Sequence, residues 1–162
     1  GKKMTIAGSG GAATSIEITS ALEGLRELTI FARKSSASFA NAEHTVEKIR
    51  SAVEECKVNL YDIADREVFA RDSDIFTNAT SVGMKPHEDQ TLIDDPAIFH
   101  PGLVVSDVVY NPRKTKLLED AEKAGCKIVP GIGMLLWQGA EAFKLYTGKE
   151  MPAHEVEEKY FR

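Results

Sequence analysis

Six short runs rich in β-branched and other apolar residues, at positions 4–7, 28–31, 58–61, 75–78, 103–109 and 127–129, alternate with stretches of helical periodicity. This alternation constrains the fold more tightly than anything else in the chain. A strand, a helix and a second strand close into a right-handed crossover, which makes the strands parallel and places helices on both faces of the sheet. The order β-α-β-α-β-α-β-loop-β-α-β-α-α predicts one α/β domain over residues 1–162, a doubly wound parallel sheet with strands ordered 3-2-1-4-5-6. Helices are expected over 12–25, 38–55, 65–71, 115–124, 134–146 and 153–160. The first is expected to carry Ile16, Thr19, Ala21 and Leu22 near one stripe, with Gly24 as its break. The second buries Phe39, Val46, Ile49 and Val53, and the fourth Leu117, Leu118 and Ala121, closed by Gly125. Trp137 and Phe143, on the fifth helix, read as core.

Composition narrows the partners. A chain of 162 residues, 43% hydrophobic and 28% charged, suits a single domain that buries roughly two thirds of its unfolded surface. With 20 Lys and Arg against 25 Asp and Glu, the net charge of −5 argues against a general nucleic-acid binder. No apolar run approaches the ~20 residues of a membrane span. Cys56 and Cys126 lie far apart with no CxxC spacing and no paired histidines, so both read as reduced and structural, with no metal, in a reducing cytoplasm. The opening Gly1-Lys2-Lys3-Met4 has neither an initiator Met nor a signal core, and reads as the middle of a longer chain.

Gly8-Ser9-Gly10-Gly11-Ala12 falls between the first strand and the first helix, where a Rossmann-like fold binds the pyrophosphate of a dinucleotide. Glycines permit a tight turn and close backbone approach to phosphate oxygens, and the free N–H groups of the helix start hold the anion. The GK[ST] ending of a P-loop is missing. After the second strand the chain runs Ala32-Arg33-Lys34-Ser35-Ser36, two cations and two hydroxyls with no carboxylate. A guanidinium can meet the roughly two negative charges of a 2′-phosphate in a bidentate manner, so NADP is favoured over NAD, whose use stays open.

Polar loops also follow the later strands. These are Thr77-Asn78-Ala79-Thr80-Ser81-Val82-Gly83-Met84, Val109-Tyr110-Asn111-Pro112, and Gly131-Ile132-Gly133-Met134-Leu135-Leu136-Trp137-Gln138-Gly139-Ala140. All face the crevice at the carboxyl ends of the strands, where ligands bind in this architecture. At these residues the chain resembles the C-terminal, cofactor-binding domain of the shikimate dehydrogenase family, with the nearest likeness to its quinate/shikimate branch. The resemblance rests on the GxGGA turn at 8–12, NATxxGM at 78–84, YNP at 110–112 and GxGMLLWQGAE at 131–141, and it spans residue 3 to about residue 160.

The resemblance implies that Ser9, Gly10, Gly11 and Ala12 bind pyrophosphate, and that Arg33, Lys34 and Ser35 meet the adenosine ribose and its phosphate. It places Thr80, Ser81, Val108, Val109, Tyr110 and Asn111 along the cofactor, with Gly131 and Met134 near the nicotinamide. Gln138 would reach a hydroxyl of the substrate, shikimate or quinate. Departures from the family are Ala32 for Asn, Ser9 for Ala, Ser81 for the Lys of some quinate-accepting members, and Ser35 for the Asp that branch often carries. The resemblance also implies that catalysis belongs to a Lys and an Asp of an N-terminal domain, so no catalytic residue is assigned in this chain and the chain alone is expected to be inactive. Lys85, His44, His87, His100 and His154 have no convincing catalytic or metal partner in the sequence. Alternatives are the NADP domain of another dehydrogenase, such as a methylene-tetrahydrofolate dehydrogenase or glutamyl-tRNA reductase, or a non-catalytic NADP sensor. A homodimer is left open.

Overall fold

Each apolar run forms a strand of one sheet. In the computed structural model, which describes residues 1–161, the strands are β1 (Lys3–Ala7), β2 (Glu27–Ala32), β3 (Lys57–Asp62), β4 (Ile75–Asn78), β5 (Val104–Asp107) and β6 (Lys127–Val129). All neighbours pair in parallel, in the order β3-β2-β1-β4-β5-β6, as the alternation predicts. The order reverses beside β1, which opens the crevice between β1 and β4. The helices are α1 (Gly11–Leu22), α2 (Ser38–Ala52), α3 (Arg66–Ala70), α4 (Lys116–Lys123), α5 (Ile132–Thr147) and α6 (Ala153–Tyr160), with short 3-10 turns at Ile63–Asp65 and Pro96–Ile98.

Strand alternation divides the core between the two sheet faces. Met4, Ile6, Leu28, Ile30 and Val58 meet Ala13 and Ala21 of α1 and Ala42, Val46 and Ile49 of α2. On the other face Ala7, Phe31, Phe76 and Val105 meet Ala70 of α3 and Leu117, Leu118 and Ala121 of α4. Both cysteines are buried and free.

Several expected boundaries move, each for a local reason. α1 ends at Leu22, with Gly24 at φ +91° turning the chain so that Leu25, not Leu22, enters the core. Its buried face is Ala13, Glu17 and Ala21. Leu22 is 66% exposed, which corrects the expected stripe: small residues at i and i+8 set the face that lies against the sheet, and that rotation turns Leu22 outward. α2 stops at Ala52, three residues early, because the turn bonded from Cys56 N–H to Val53 O must deliver the chain to β3. Trp137 and Phe143, expected in the core, are 50% and 39% exposed. α5 has Leu136 alone buried among its residues, and the Trp137 ring packs edge-on against His154 of α6.

Candidate functional site

The crevice is built by backbone first. Gly8 leaves β1 at φ +135°, where a Cβ would stand 2.5 Å from Ala79 O, so the residue must be glycine. Hydrogen bonds from Gly8 N–H to Phe31 O (2.9 Å), Ala79 N–H to Ala7 O (2.7 Å) and Val108 N–H to Asn78 O (2.9 Å) carry the sheet ladder past the strand ends, so the loops leave the sheet at one level. Gly10 is extended, no side chain caps α1, and no acidic residue stands in its first turn. A Cβ at Gly10 or Gly11 would meet nothing within 4 Å. The first N–H groups of α1 are thus free of side-chain partners, open to approach and at the positive end of the helix dipole, a setting that fits an anion such as a pyrophosphate.

A groove of about 600 Å³ runs from this turn between α1 and α5, lined by Gly11, Ala12, Ser15, Ile16, Met134 and Gln138 among others. It joins residues from the two ends of the sequence that were assigned to phosphate, nicotinamide and substrate. Arg33, Lys34 and Ser35 stand exposed directly after β2, as do Ser81, Tyr110 and Asn111 at their loops, while Thr80 and Val108 are half-buried. Val109 is 5% exposed, so what it can offer a ligand is backbone. Lys85 pairs with Glu88 at 3.8 Å and stays an exposed loop lysine.

The loops after β4 and β5 are tied by a buried polar network that the sequence reading did not assemble. Asn78 donates from Nδ2 to Asp107 Oδ1 (3.0 Å) and Val82 O (3.0 Å), and its Oδ1 accepts from Thr80 N–H (2.9 Å) and Thr80 Oγ1 (2.7 Å). Asp107 Oδ1 also accepts from Val109 N–H (2.9 Å), and Oδ2 from Thr115 Oγ1 (2.7 Å), the hydroxyl that caps α4. The Asp107 turn explains why β5 stops at Asp107 and not at 109. Burial pushes the Asp107 carboxyl above the ordinary range, against the hydrogen bonds from Thr115, Val109 and Asn78 that favour its charge. Asn78, Asp107 and Thr115 shape the site without facing it, and only the NAT triplet signalled them.

This network gives a graded expectation. Asp107→Asn keeps one oxygen for Asn78 and Val109 and lets the amide donate to Thr115, so unfolding should be easier by about 1 kcal/mol or less. Asp107→Ala strands three buried donors and should cost about 2–3 kcal/mol. Chemical denaturation of the two variants checks this, and equal losses would contradict it.

Asp62 was also missed. Reading along β2 finds no carboxylate, but across the sheet Asp62 pairs in register with Ala32, and its Oδ2 accepts from Lys34 N–H at 3.3 Å. Among the described residues no group of three or more His, Cys, Asp or Glu is placed to hold a metal, and no helix is long and apolar enough to cross a membrane.

Comparison with known proteins aligns with this geometry. Residues 131–159 match the model of the shikimate 5'-dehydrogenase C-terminal domain. The chain is 54% identical over 164 residues to the shikimate dehydrogenase (NADP(+)) of Listeria monocytogenes, covering 99% of this chain and 56% of that protein. It is 45% identical to a quinate/shikimate dehydrogenase of Escherichia coli, covering 98% and 55%. Among solved structures, the Listeria monocytogenes shikimate 5-dehydrogenase in complex with shikimate and NAD superposes with a TM-score of 0.89 at 54% identity, over 98% of this chain and 55% of that one. The Corynebacterium glutamicum quinate dehydrogenase in complex with NAD gives 0.86 at 27% identity, over 99% and 55%. The chain therefore spans about half the length of these relatives.

Proposed function

We propose that the chain is a member of the shikimate dehydrogenase family and forms the dinucleotide-binding half of an NAD(P)-dependent oxidoreductase interconverting shikimate or quinate with the 3-dehydro ketone. The observation that carries this reading is the 54% identity to a shikimate dehydrogenase over 99% of the chain, which takes in every loop of the crevice. When bound, the nicotinamide supplies the hydride carrier of the reaction.

The chain's own residues bind and orient. Ser9, Gly10, Gly11 and Ala12 hold the pyrophosphate through backbone N–H groups, and Arg33, Lys34 and Ser35 meet the 2′-phosphate of NADP. Thr80, Ser81 and the segment from Val108 to Asn111 form one wall. Gly131 and Met134 meet the nicotinamide, the Met sulfur offering it a soft, polarisable surface. Gln138, in the same groove, donates to or accepts from a hydroxyl of the substrate. The proton of the carbinol is handled by groups outside this chain, in the part of the relatives' length that it does not span. The setting is the cytoplasm, in the biosynthesis of aromatic amino acids.

Calorimetric titration of the chain with NADP and NAD is the direct test, together with an assay for shikimate oxidation. NADP should bind the more tightly, and the chain alone should not turn over shikimate. Replacing both Arg33 and Lys34 by alanine should weaken NADP roughly 10- to 100-fold, the pair together being worth about 1.4–2.7 kcal/mol, and leave NAD nearly unchanged. Equal affinities of the unaltered chain for the two nucleotides, or tighter NAD, would remove the role given to the basic pair.

A further inference from the structure

The parallel register of β2 and β3 brings a carboxylate to the place where the sequence showed only cations. Ala32 and Asp62 are paired across the two strands, so Arg33 and Lys34 leave the sheet alongside Asp62. The Asp62 carboxylate accepts from Lys34 N–H with Oδ2 (3.3 Å) and from Ala64 N–H with Oδ1 (3.0 Å). These bonds fix it at the carboxyl edge of the sheet, half-exposed, where the exposed residues Arg33, Lys34 and Ser35 leave the neighbouring strand.

The Ala64 N–H, and after it the N–H and ammonium of Lys34, hold the Asp62 carboxyl below the ordinary carboxylate range, so it is negative throughout the neutral region. A fixed negative charge in this position has opposite effects on the two dinucleotides. It can accept hydrogen bonds from the free hydroxyls of an unphosphorylated ribose, and it repels a 2′-phosphate of roughly two negative charges. The Arg33 and Lys34 side chains act in the reverse sense from the neighbouring strand.

We propose that Asp62 is a specificity-determining residue that opposes the Arg33–Lys34 pair at the adenosine end of the crevice and keeps dinucleotides with a free 2′-hydroxyl in competition with 2′-phosphorylated ones. The inference rests on the dinucleotide-binding reading above and deepens it.

The test is calorimetric titration of NADP and NAD into the unaltered chain, Asp62→Asn and Asp62→Ser, at low and at moderate ionic strength, with melting curves for all three. Asn keeps the shape and an acceptor oxygen, and Ser keeps a capping hydroxyl for the 3-10 turn, so both remove the charge while retaining a local hydrogen bond. In both variants the affinity ratio of NADP to NAD should rise roughly three- to tenfold at low salt, and the gain should shrink as salt screens the charge. A ratio that stays the same or falls overturns the assignment. An equal loss of both nucleotides also overturns it, because it shows Asp62 acting only as a structural cap. If the unaltered chain binds neither nucleotide, the dinucleotide reading itself fails; if it binds both and the ratio does not move, only the role of Asp62 does.

Discussion

Glu17→Leu should raise the stability of the domain at pH 8 by about 3 kcal/mol, or roughly 6–12 °C in melting temperature. Glu17 is fully buried on the inner face of α1, flanked at i ± 4 by Ala13 and Ala21 of the apolar core, and neither carboxylate oxygen has a hydrogen-bond partner. Burial alone pushes its carboxyl up to about 7 from 4.5. The folded protein therefore keeps a proton that the unfolded chain releases near pH 4.5. The stabilisation from proton binding is fully present below pH 4.5, declines as pH rises towards 7, and is lost above it. Glu17→Gln, which cannot ionise, should flatten this part of the profile. Below pH 4.5 the opposite trend belongs to Glu27 and Asp74, whose carboxyls are held low by Lys57 and by the Lys3 N–H and Lys2 respectively, so unfolding measured between pH 5 and 8 isolates the effect of Glu17 by difference from Glu17→Gln. If the parent and Glu17→Gln show the same pH dependence in that window, the buried carboxyl is not titrating there.

Gly131→Ala should be strongly damaging, with a loss of about 3 kcal/mol and of nucleotide affinity together. Gly131 has an ordinary φ of −66°, so its glycine is required by space and not by conformation. A Cβ there would lie 2.4 Å from Val108 O and 2.7 Å from Val109 O, both backbone atoms of the loop after β5. Neither can yield as a side chain would. Relief requires separating the start of α5 from that loop, which moves Met134 and Gln138 relative to the glycine turn. Urea unfolding and NADP titration of the variant measure the two losses, and a stable variant with unchanged binding would show that the approach of the two loops is not needed. Gly133→Ala, where a Cβ meets nothing within 4 Å, is the control and should leave stability nearly unchanged.

The strand order and the buried faces of α2 and α4 were legible because β-branched runs and helical periodicity are local signals, and right-handed crossovers leave little choice of topology. The ends of the elements were less so. β5 ends where Asp107 turns its carboxylate onto Val109 N–H, a stop set by a side chain whose other partners, Asn78 and Thr115, come from separate segments. The glycine turn, Met134 and Gln138 were read as parts of one site and lie along one groove. Asp62 was not read as part of it, since its proximity to Lys34 depends on a strand register 28 residues apart in sequence. Glu17 was hidden for the converse reason. A glutamate among Ile16, Ile18 and Leu22 reads as the polar face of an amphipathic helix, and only the seating of α1 on the sheet turns it inward. Trp137 and Phe143 show that an apolar residue on a helix does not by itself mark the core of its domain.

The backbone bonds that extend the ladder beyond β1, β4 and β5 have a kinetic consequence. A nucleotide arriving at the crevice meets a floor whose outline is already set, because the loops are bonded to one another before it lands. Little ordering remains to slow the encounter, and the choice between one nucleotide and another should be written in residence times, with arrival rates nearly the same for both.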